Sequence, residues 1–242
     1  HAFILDRSPA VSLAPVLNAP EPGMPGPGQT VGRYTLIDEI GTGGMATVWS
    51  ARPQDPEAGP VVAIKFLRVS WAHAGWRERF RREQRILARL VHPNISRLLD
   101  AGVDARGTPY LVMDRIDGLP VTRWCDQRLL GLAGRVRLFR TVCAAVAFAH
   151  GNLVIHRDLK PGNVLVDADG VPHLLDFGIA KLLDASDVAE DPTRTGMVLA
   201  TPAYAAPEQL AGGAVTMATD VFGLGALLHE LLCGVRAVFR TD

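Results

Sequence analysis

The alternation of apolar and polar residues predicts that the first part of the chain is rich in β-strands. Within 34–67 the alternation is interrupted first by a glycine-rich turn and then by a turn rich in proline and glycine. Short apolar runs around 98–103 and 109–114, separated by a Gly-Thr-Pro turn, predict two further strands. The pattern therefore indicates a small lobe built mainly from strands.

A single helix is predicted between these strands. Residues 76–91 place Phe80, Glu83, Leu87 and Leu90 on one helical face, and a His-Pro-Asn sequence ends the helix. Glu83 is a carboxylate among apolar neighbours, so it needs a partner.

The rest of the chain has helical periodicity. Helices are predicted over 121–129, 133–151 and 218–233, and the change from strands to helices predicts a hinge near 114–118. The predicted fold class is α+β, with two lobes. The amino-terminal lobe is β-rich and carries one helix, and the carboxy-terminal lobe is mostly helical.

The first residues of the chain differ from the rest in composition. Residues 1–32 contain six prolines and several glycines, and such a stretch buries too little apolar surface to order itself. We therefore expect a disordered linker at 1–32, the small lobe at 33–116 and the large lobe at 117–242.

Charge and composition argue against several classes of function. The 25 Lys and Arg residues balance 25 Asp and Glu residues, so we expect no net attraction to nucleic acid or to an anionic membrane. The most apolar stretches are too short or too polar to span a membrane. The three cysteines are far apart and lack metal-ligand spacing, which indicates reduced thiols in a cytosolic protein.

The glycine-rich sequence GTGGMATV at 41–48 lies between two predicted strands. A dinucleotide-binding loop would be followed by a helix, and a P-loop would carry Gly-Lys-Ser or Gly-Lys-Thr, so neither fits. Two interpretations remain. One is a plain hairpin, and the other is a flap whose backbone N–H groups cover the phosphates of a nucleotide.

The next predicted strand contains a lysine. In the sequence VAIKF, Ala63 and Lys65 point to one face of the strand and their apolar neighbours point to the other. Glu83 is the expected counterpart of Lys65. The pair is either a structural ion pair or a device that holds Lys65 so that it can contact phosphate oxygens, and spacing alone favours neither.

The sequence VIHRDLKPGNVLV at 154–166 collects polar residues between two apolar runs. If Asp169 and Gly170 form a two-residue hairpin turn, Asn163 faces Asp176 across the hairpin. An amide oxygen and a carboxylate are ligands that suit Mg²⁺.

Asp158 and Lys160 lie in the same polar loop. Asp158 can serve as a base, and Lys160 adds a positive charge beside it. The alternative is a polar loop without a function, and the glycine-rich flap together with Lys65 argues against that alternative.

Six motifs occur in order: the glycine-rich loop, V-A-I-K, the helix Glu, H-R-D-L-K-P-G-N, D-F-G at 176–178 and A-P-E at 206–208. Together they make 33–242 resemble the catalytic domain of the protein kinase family. The segments GGMA and TRTGMVLATPAYAAPEQ resemble bacterial, eukaryotic-like serine/threonine kinases. VMDRIDGLPVTRWCDQR and LLDFGIAKLLD resemble a bacterial subgroup in which tetratricopeptide repeats, and sometimes a membrane span, follow the kinase domain.

The resemblance implies an ATP-dependent serine/threonine protein kinase with the two-lobed kinase fold and protein substrates. Asp158 would accept the proton of the substrate hydroxyl, and Lys160 would steady the γ-phosphate. Lys65 would hold the α- and β-phosphates, and Glu83 would orient Lys65.

The resemblance also implies a site for ATP and its metal ion. Asn163 and Asp176 would hold Mg²⁺, with Mn²⁺ as the alternative ion. Met113 would be the gatekeeper behind the adenine, and the backbone of 114–116 would contact the adenine edge. The implied ATP-binding residues are Ile40, Gly41, Thr42, Gly43, Gly44, Val48, Ala63, Lys65, Met113, Asp114, Ile116 and Leu165.

Regulation would act through the activation segment, residues 179–205. Arg157 would face this segment, and Thr193 and Thr195 have the spacing of residues that autophosphorylate in related bacterial kinases. Each phosphate adds a charge of about −2 and can pair with Arg157, which implies a homodimer if one molecule modifies another. The alternative is that both threonines are ordinary loop residues. Thr201 is a residue that accompanies serine/threonine specificity in the family.

We expect the chain to be a piece of a longer protein. It begins at His1 rather than Met, and it stops at Asp242 soon after the last predicted helix. Related kinases continue with helices that complete the large lobe and supply an Arg partner for Glu208. We therefore expect Glu208 to be unpaired and the isolated segment to be poorly soluble or inactive. The expected location is the cytoplasm, and a membrane anchor beyond residue 242 is left open.

Two other functions stand beside the kinase interpretation. A pseudokinase, or an inactive fragment that acts as a binding module, is disfavoured because Lys65, Asp158, Asn163 and Asp176 are all present. A small-molecule kinase is disfavoured because the activation segment and the AAPEQ sequence serve protein substrates in related kinases.

Overall fold

The structure is a computed structural model that describes residues 25–43, 46–68, 76–178 and 203–236. The strands of the small lobe are β1 (Thr30–Val31), β2 (Tyr34–Thr42), β3 (Ala46–Pro53), β4 (Val62–Leu67), β5 (Leu98–Val103) and β6 (Pro109–Asp114). They form one antiparallel sheet in the order β1-β2-β3-β4-β6-β5. β5 and β6 have the bounds that the apolar runs predicted.

β1 lies before Arg33, inside the range predicted to be a linker. Val31 is buried, and Thr30 and Val31 pair with Thr35 and Tyr34 of β2. A buried side chain and an antiparallel partner thus order two residues whose proline-rich surroundings indicated disorder. The ordered part of the small lobe therefore begins before residue 33.

The helix of the small lobe, α1 (Trp76–Leu87), ends four residues earlier than predicted. The N–H of Leu90 donates to the Leu87 carbonyl at 2.9 Å, and this three-residue spacing tightens the chain after the last turn. Phe80, Leu87 and Leu90 are buried as predicted, and Glu83 is half-buried. The predicted face is therefore present although the helix is shorter.

The described part of the large lobe contains the helices α2 (Val121–Gln127), α3 (Leu132–Gly151), α4 (Pro207–Leu210) and α5 (Met217–Cys233). Its core packs Val142 and Val146 of α3 with Leu227 and Leu231 of α5. α2, α3 and α5 correspond to the three predicted helices, and α4 was not predicted. None of the helices in the described ranges has the length and apolar character needed to cross a membrane.

A second, smaller sheet lies beside the hinge. It comprises β7 (Gly118–Pro120), β8 (Val164–Asp167) and β9 (Pro172–Leu174), in that order. Only residues 115–117 separate β7 from β6, so the hinge connects the two sheets directly. A Cβ at Gly118 would lie 2.7 Å from the carbonyl oxygen of Val166, so this position requires glycine.

The β8–β9 hairpin has a three-residue turn, and the predicted two-residue turn is wrong. The N–H of Asp167 donates to the Val171 carbonyl (3.1 Å), and the Asp167 carboxylate accepts the N–H of Val171 (2.8 Å). Gly170 has a left-handed φ of +82°, as the last residue of such a turn requires. The register therefore moves by one residue, and Val164 faces Leu174.

Candidate active site

The loop of residues 156–163 lies between α3 and β8, directly before β8, and is organised around the buried side chain of His156. Its Nε2 lies 2.7 Å from the Leu175 carbonyl oxygen, which can only accept, so Nε2 carries the proton. Nδ1 then accepts the N–H of Asp158 at 3.3 Å. Burial lowers the pKa of His156, which favours the neutral ring that these two hydrogen bonds require.

Asp220 of α5 is also buried and holds the backbone of the 156–163 loop. Its carboxylate accepts the N–H groups of His156 (2.7 Å) and Arg157 (2.8 Å), and it lies 2.7 Å from Nε2 of His150. Arg157 has a left-handed φ of +70°, which costs free energy in a residue with a Cβ. Asp220 therefore stabilises a strained backbone immediately before Asp158.

Asp158, Lys160 and Asn163 meet in this loop. Nζ of Lys160 lies 2.8 Å from Oδ2 of Asp158. Nδ2 of Asn163 donates to the carbonyl oxygen (2.7 Å) and to Oδ2 (2.9 Å) of Asp158. Because its nitrogen is committed to Asp158, Asn163 offers its amide oxygen as the ligand atom for a metal ion.

Asn163 does not face Asp176 across the hairpin as the sequence predicted. In the shifted register the carbonyl of Asn163 accepts the N–H of Leu175 at 2.9 Å, so Leu175 occupies the opposite position. Asp176 lies two residues beyond the end of β9 and has a left-handed φ of +53°, so its side chain does not follow the alternation of the strand. Its carboxylate thereby reaches Lys65 of the small lobe.

Lys65 of β4 forms an ion pair with Asp176, with 3.0 Å between Nζ and Oδ1. The side chains are 16% and 22% exposed, so the pair is partly buried where it joins the two lobes. The expected pair between Lys65 and Glu83 is not formed among the described residues. Burial lowers the pKa of Arg157, and the negative charge of Glu83 opposes that shift.

The expected nucleotide-binding residues of the small lobe lie on neighbouring strands. Gly41 pairs with Val48 and Val48 pairs with Lys65, so the glycine-rich turn and the lysine share one part of the sheet. Ala63 pairs with Met113 in the same sheet. The others are Ile40 and Thr42 on β2, Gly43 directly after it, Asp114 at the end of β6, Ile116 in the hinge and Leu165 on β8. Outside the described residues lie Gly44, Thr193, Thr195 and Thr201.

Phe177 connects the two lobes next to the ion pair. The centroid of its ring lies 4.8 Å from that of His156. It packs against the core of the large lobe and also against the small-lobe cluster that contains Leu87 and Leu111. The 156–163 loop and the Lys65–Asp176 pair are therefore joined through one packed ring.

Three polar contacts around the loop were missed by sequence reasoning. Gln209 of α4 donates to the Arg157 carbonyl (2.9 Å), and His150 contacts Asp220. The hydroxyl of Thr219 donates to Glu208 at 2.6 Å. Glu208 is therefore not unpaired, contrary to expectation, since a hydroxyl and partial exposure satisfy its carboxylate. No periodicity or motif spacing in the sequence points to these three contacts.

The model of the protein kinase domain family matches residues 34–242. This chain belongs to the protein kinase domain family. The match confirms the family that the ordered motifs indicated, and members of the family use ATP and a divalent metal ion.

Two curated relatives of the kinase domain are bacterial serine/threonine-protein kinases. The chain is 40% identical over 208 residues to the DNA damage-responsive kinase RqkA of Deinococcus radiodurans, covering 84% of this chain and 30% of the relative. It is 39% identical over 211 residues to PknA of Mycobacterium tuberculosis, covering 85% of this chain and 48% of the relative. The chain therefore spans less than half the length of these two relatives.

The kinase domain also resembles a solved structure. It superimposes on the crystal structure of the M. tuberculosis PknI kinase domain with a TM-score of 0.70 and 28% sequence identity. The likeness covers 90% of this chain and 80% of that one. The predicted two-lobed kinase fold is therefore confirmed.

Proposed function

We propose that this kinase domain transfers the γ-phosphate of ATP to serine or threonine hydroxyls of proteins. The observation that carries the proposal is the Asp158 carboxylate, held by Lys160 at 2.8 Å and by Asn163 at 2.9 Å. The names of RqkA and PknA, both serine/threonine-protein kinases, support the type of hydroxyl.

Asp158 would accept the proton of the attacking hydroxyl. Two donors hold its carboxylate in one orientation, so the accepting oxygen is positioned before the substrate arrives. Lys160 would contact the γ-phosphate and offset its negative charge. His156 and Asp220 would act through the loop backbone and position the base.

The donor set fits a divalent cation. Asn163 offers an amide oxygen and Asp176 a carboxylate, and Mg²⁺ takes hard oxygen ligands of this kind, with Mn²⁺ as the alternative ion. When bound, Mg²⁺ would neutralise charge on the ATP phosphates. Because Asp176 pairs with Lys65, nucleotide binding would separate the two side chains. Lys65 would turn to phosphate oxygens, and Asp176 would turn to the cation.

A transfer assay with [γ-³²P]ATP and a generic protein substrate tests these roles. Asp158→Asn and Lys65→Met should each reduce labelling by about 100-fold or more. Asp169→Asn is the matched control, since Asp169 is an exposed carboxylate in the β8–β9 turn, and it should label like the wild type. Equal labelling by the wild type and both site variants contradicts the assignment.

A binding module that does not transfer phosphate is the second candidate. The observation that favours it is the ion pair of Lys65 with Asp176, since that arrangement does not present Lys65 to phosphates. Calorimetry separates the two functions. Binding of ATP by a wild-type chain that labels no protein would support the binding module.

We also propose that Thr193 and Thr195 are autophosphorylated and that Arg157 pairs with the added phosphate. The support is the spacing of the threonines and the position of Arg157 directly before the proposed base. Phosphopeptide mass spectrometry after incubation with ATP should find both sites modified. An unmodified peptide containing both threonines after full turnover of substrate contradicts this proposal.

Several finer expectations stay predictions. They are the homodimer, the cytoplasmic location, the linker over the first residues, the lobe boundary at residue 116 and the tetratricopeptide repeats further along the protein. The role of Thr201 in hydroxyl specificity is also a prediction, and replacing it with Ala should lower transfer to both serine and threonine peptides.

A further inference from the structure

Asp114, the last residue of β6, is held by the two residues that precede β5. Nε of Arg97 lies 2.8 Å from Oδ2 of Asp114, and Nη2 lies 3.2 Å from Oδ1. The backbone N–H of Arg97 also donates to Oδ2 at 3.3 Å. This is the two-pronged contact that a guanidinium makes with a carboxylate. We call the contacts of Ser96 and Arg97 with Asp114 the hinge clamp.

The hinge clamp also holds the backbone of Asp114. The N–H of Asp114 donates to the Arg97 carbonyl (3.1 Å), and the Asp114 carbonyl accepts the hydroxyl of Ser96 (3.0 Å). The preceding residue, Met113, pairs with Ala63 on one side and Leu98 on the other. Asp114 itself pairs with Val62 of β4 on one side. The clamp therefore holds the last residue of β6 from the β5 side, directly before the hinge.

We propose that Arg97 is a positioning residue for the nucleotide. It acts through Asp114, whose backbone belongs to the 114–116 segment that would contact the adenine edge, so the inference rests on the proposed function. A segment that is ordered before the ligand arrives loses less conformational entropy on binding. Loss of the clamp therefore weakens ATP binding but spares the transfer step, which depends on the 156–163 loop.

The alternative is an exposed ion pair without a role. The side chains of Arg97 and Asp114 are 56% and 27% exposed, and isolated pairs of this kind contribute little. Arg33 and Asp100 form such a pair in the same lobe, with one contact of 3.4 Å and exposures of 64% and 39%. That pair lacks the two-pronged geometry and does not hold the hinge, so it is the matched control.

The test measures the Kd of ATP by calorimetry, and the KM for ATP and kcat by phosphate transfer, on the full chain. Arg97→Met should raise Kd and KM for ATP about 5-fold and change kcat by less than about 2-fold. Arg97→Lys keeps the charge but not the two-pronged contact, so its Kd should be intermediate. Arg33→Met should have the wild-type Kd and KM.

An unchanged Kd for ATP in Arg97→Met, or an equal rise in Arg33→Met, would overturn the proposal. A fall in kcat without a change in KM would also overturn it, because a positioning role in binding predicts the reverse. The effects of Arg97→Met and Asp114→Asn on Kd should be less than additive, since the two-pronged contact can be lost only once. If Kd depends on Arg97 but the wild type transfers no phosphate, the proposed function fails while the clamp stands.

Discussion

Replacing Asp220 with Asn removes a charge from a buried position with almost no change in shape. In the native loop one carboxylate oxygen accepts the N–H of His156 (2.7 Å) and contacts His150, and the other accepts the N–H of Arg157 (2.8 Å). An amide has only one oxygen, so its nitrogen must face one of the two backbone N–H groups. Whichever way the amide is turned, one backbone donor loses its acceptor.

The expected loss follows from these contacts. A buried donor without an acceptor costs about 1–3 kcal/mol, and a neutral acceptor is weaker than a charged one by about 1 kcal/mol per hydrogen bond. One lost and one weakened bond together lower the free energy of unfolding by about 3 kcal/mol. For a chain of this size that corresponds to a fall in Tm of about 6–12 °C. The strained backbone of Arg157 also loses support, so kcat should fall about 10-fold or more.

Urea denaturation measures the free energy of unfolding, and phosphate transfer measures kcat. Asp126→Asn is the matched control, because Asp126 is an exposed carboxylate of the same lobe that pairs with Arg135 at 2.6 Å. Asp126→Asn should lower the free energy of unfolding by less than about 1 kcal/mol. A loss for Asp220→Asn no larger than that of the control would refute the reasoning.

Three further predictions concern single features. Glu83→Gln should change the free energy of unfolding by less than about 0.5 kcal/mol, because no described ion pair joins Glu83 to Lys65. Thermal melts check this, and a loss above about 1 kcal/mol contradicts it. Burial lowers the pKa of His156, so the unfolded chain binds its proton more readily. The stability it contributes is therefore complete above about pH 6.5 and falls as the pH drops below that value; a urea midpoint that is flat between pH 7.5 and pH 5.5 contradicts this. Gly118→Ala puts a Cβ 2.7 Å from the Val166 carbonyl oxygen and should cost about 1–3 kcal/mol, so a wild-type urea midpoint would speak against that close approach.

The elements that sequence reasoning found are those with a strong local period. β4 alternates between two environments, and Val62, Ile64 and Phe66 share one buried cluster while Lys65 points away from it. Such alternation follows from the geometry of a single strand, so it needs no knowledge of the rest of the fold. The ordered kinase motifs are likewise local, and the family match confirms what they indicated.

The β8–β9 turn shows where local patterns become ambiguous. The sequence Asp-Ala-Asp-Gly suits a two-residue turn at Asp169-Gly170, and it suits equally a three-residue turn that ends at Gly170. The hydrogen bond from the Val171 N–H to the Asp167 carboxylate accompanies the longer turn. A difference of one residue then changed the partner of Asn163 across the hairpin.

The sequence by itself determined most of the strands and helices, the family the chain belongs to and the side chains that are candidates for chemistry. Only the tertiary structure decided which of these side chains meet. Asp220 lies 64 residues from His156 and 63 from Arg157 in the sequence, yet it holds both, and Lys65 pairs with Asp176 rather than with Glu83. The physical reason is that several carboxylates can satisfy one cation or one N–H group. The choice among them depends on distances of a few ångströms, which the register of the hairpin and the packing of the two lobes set.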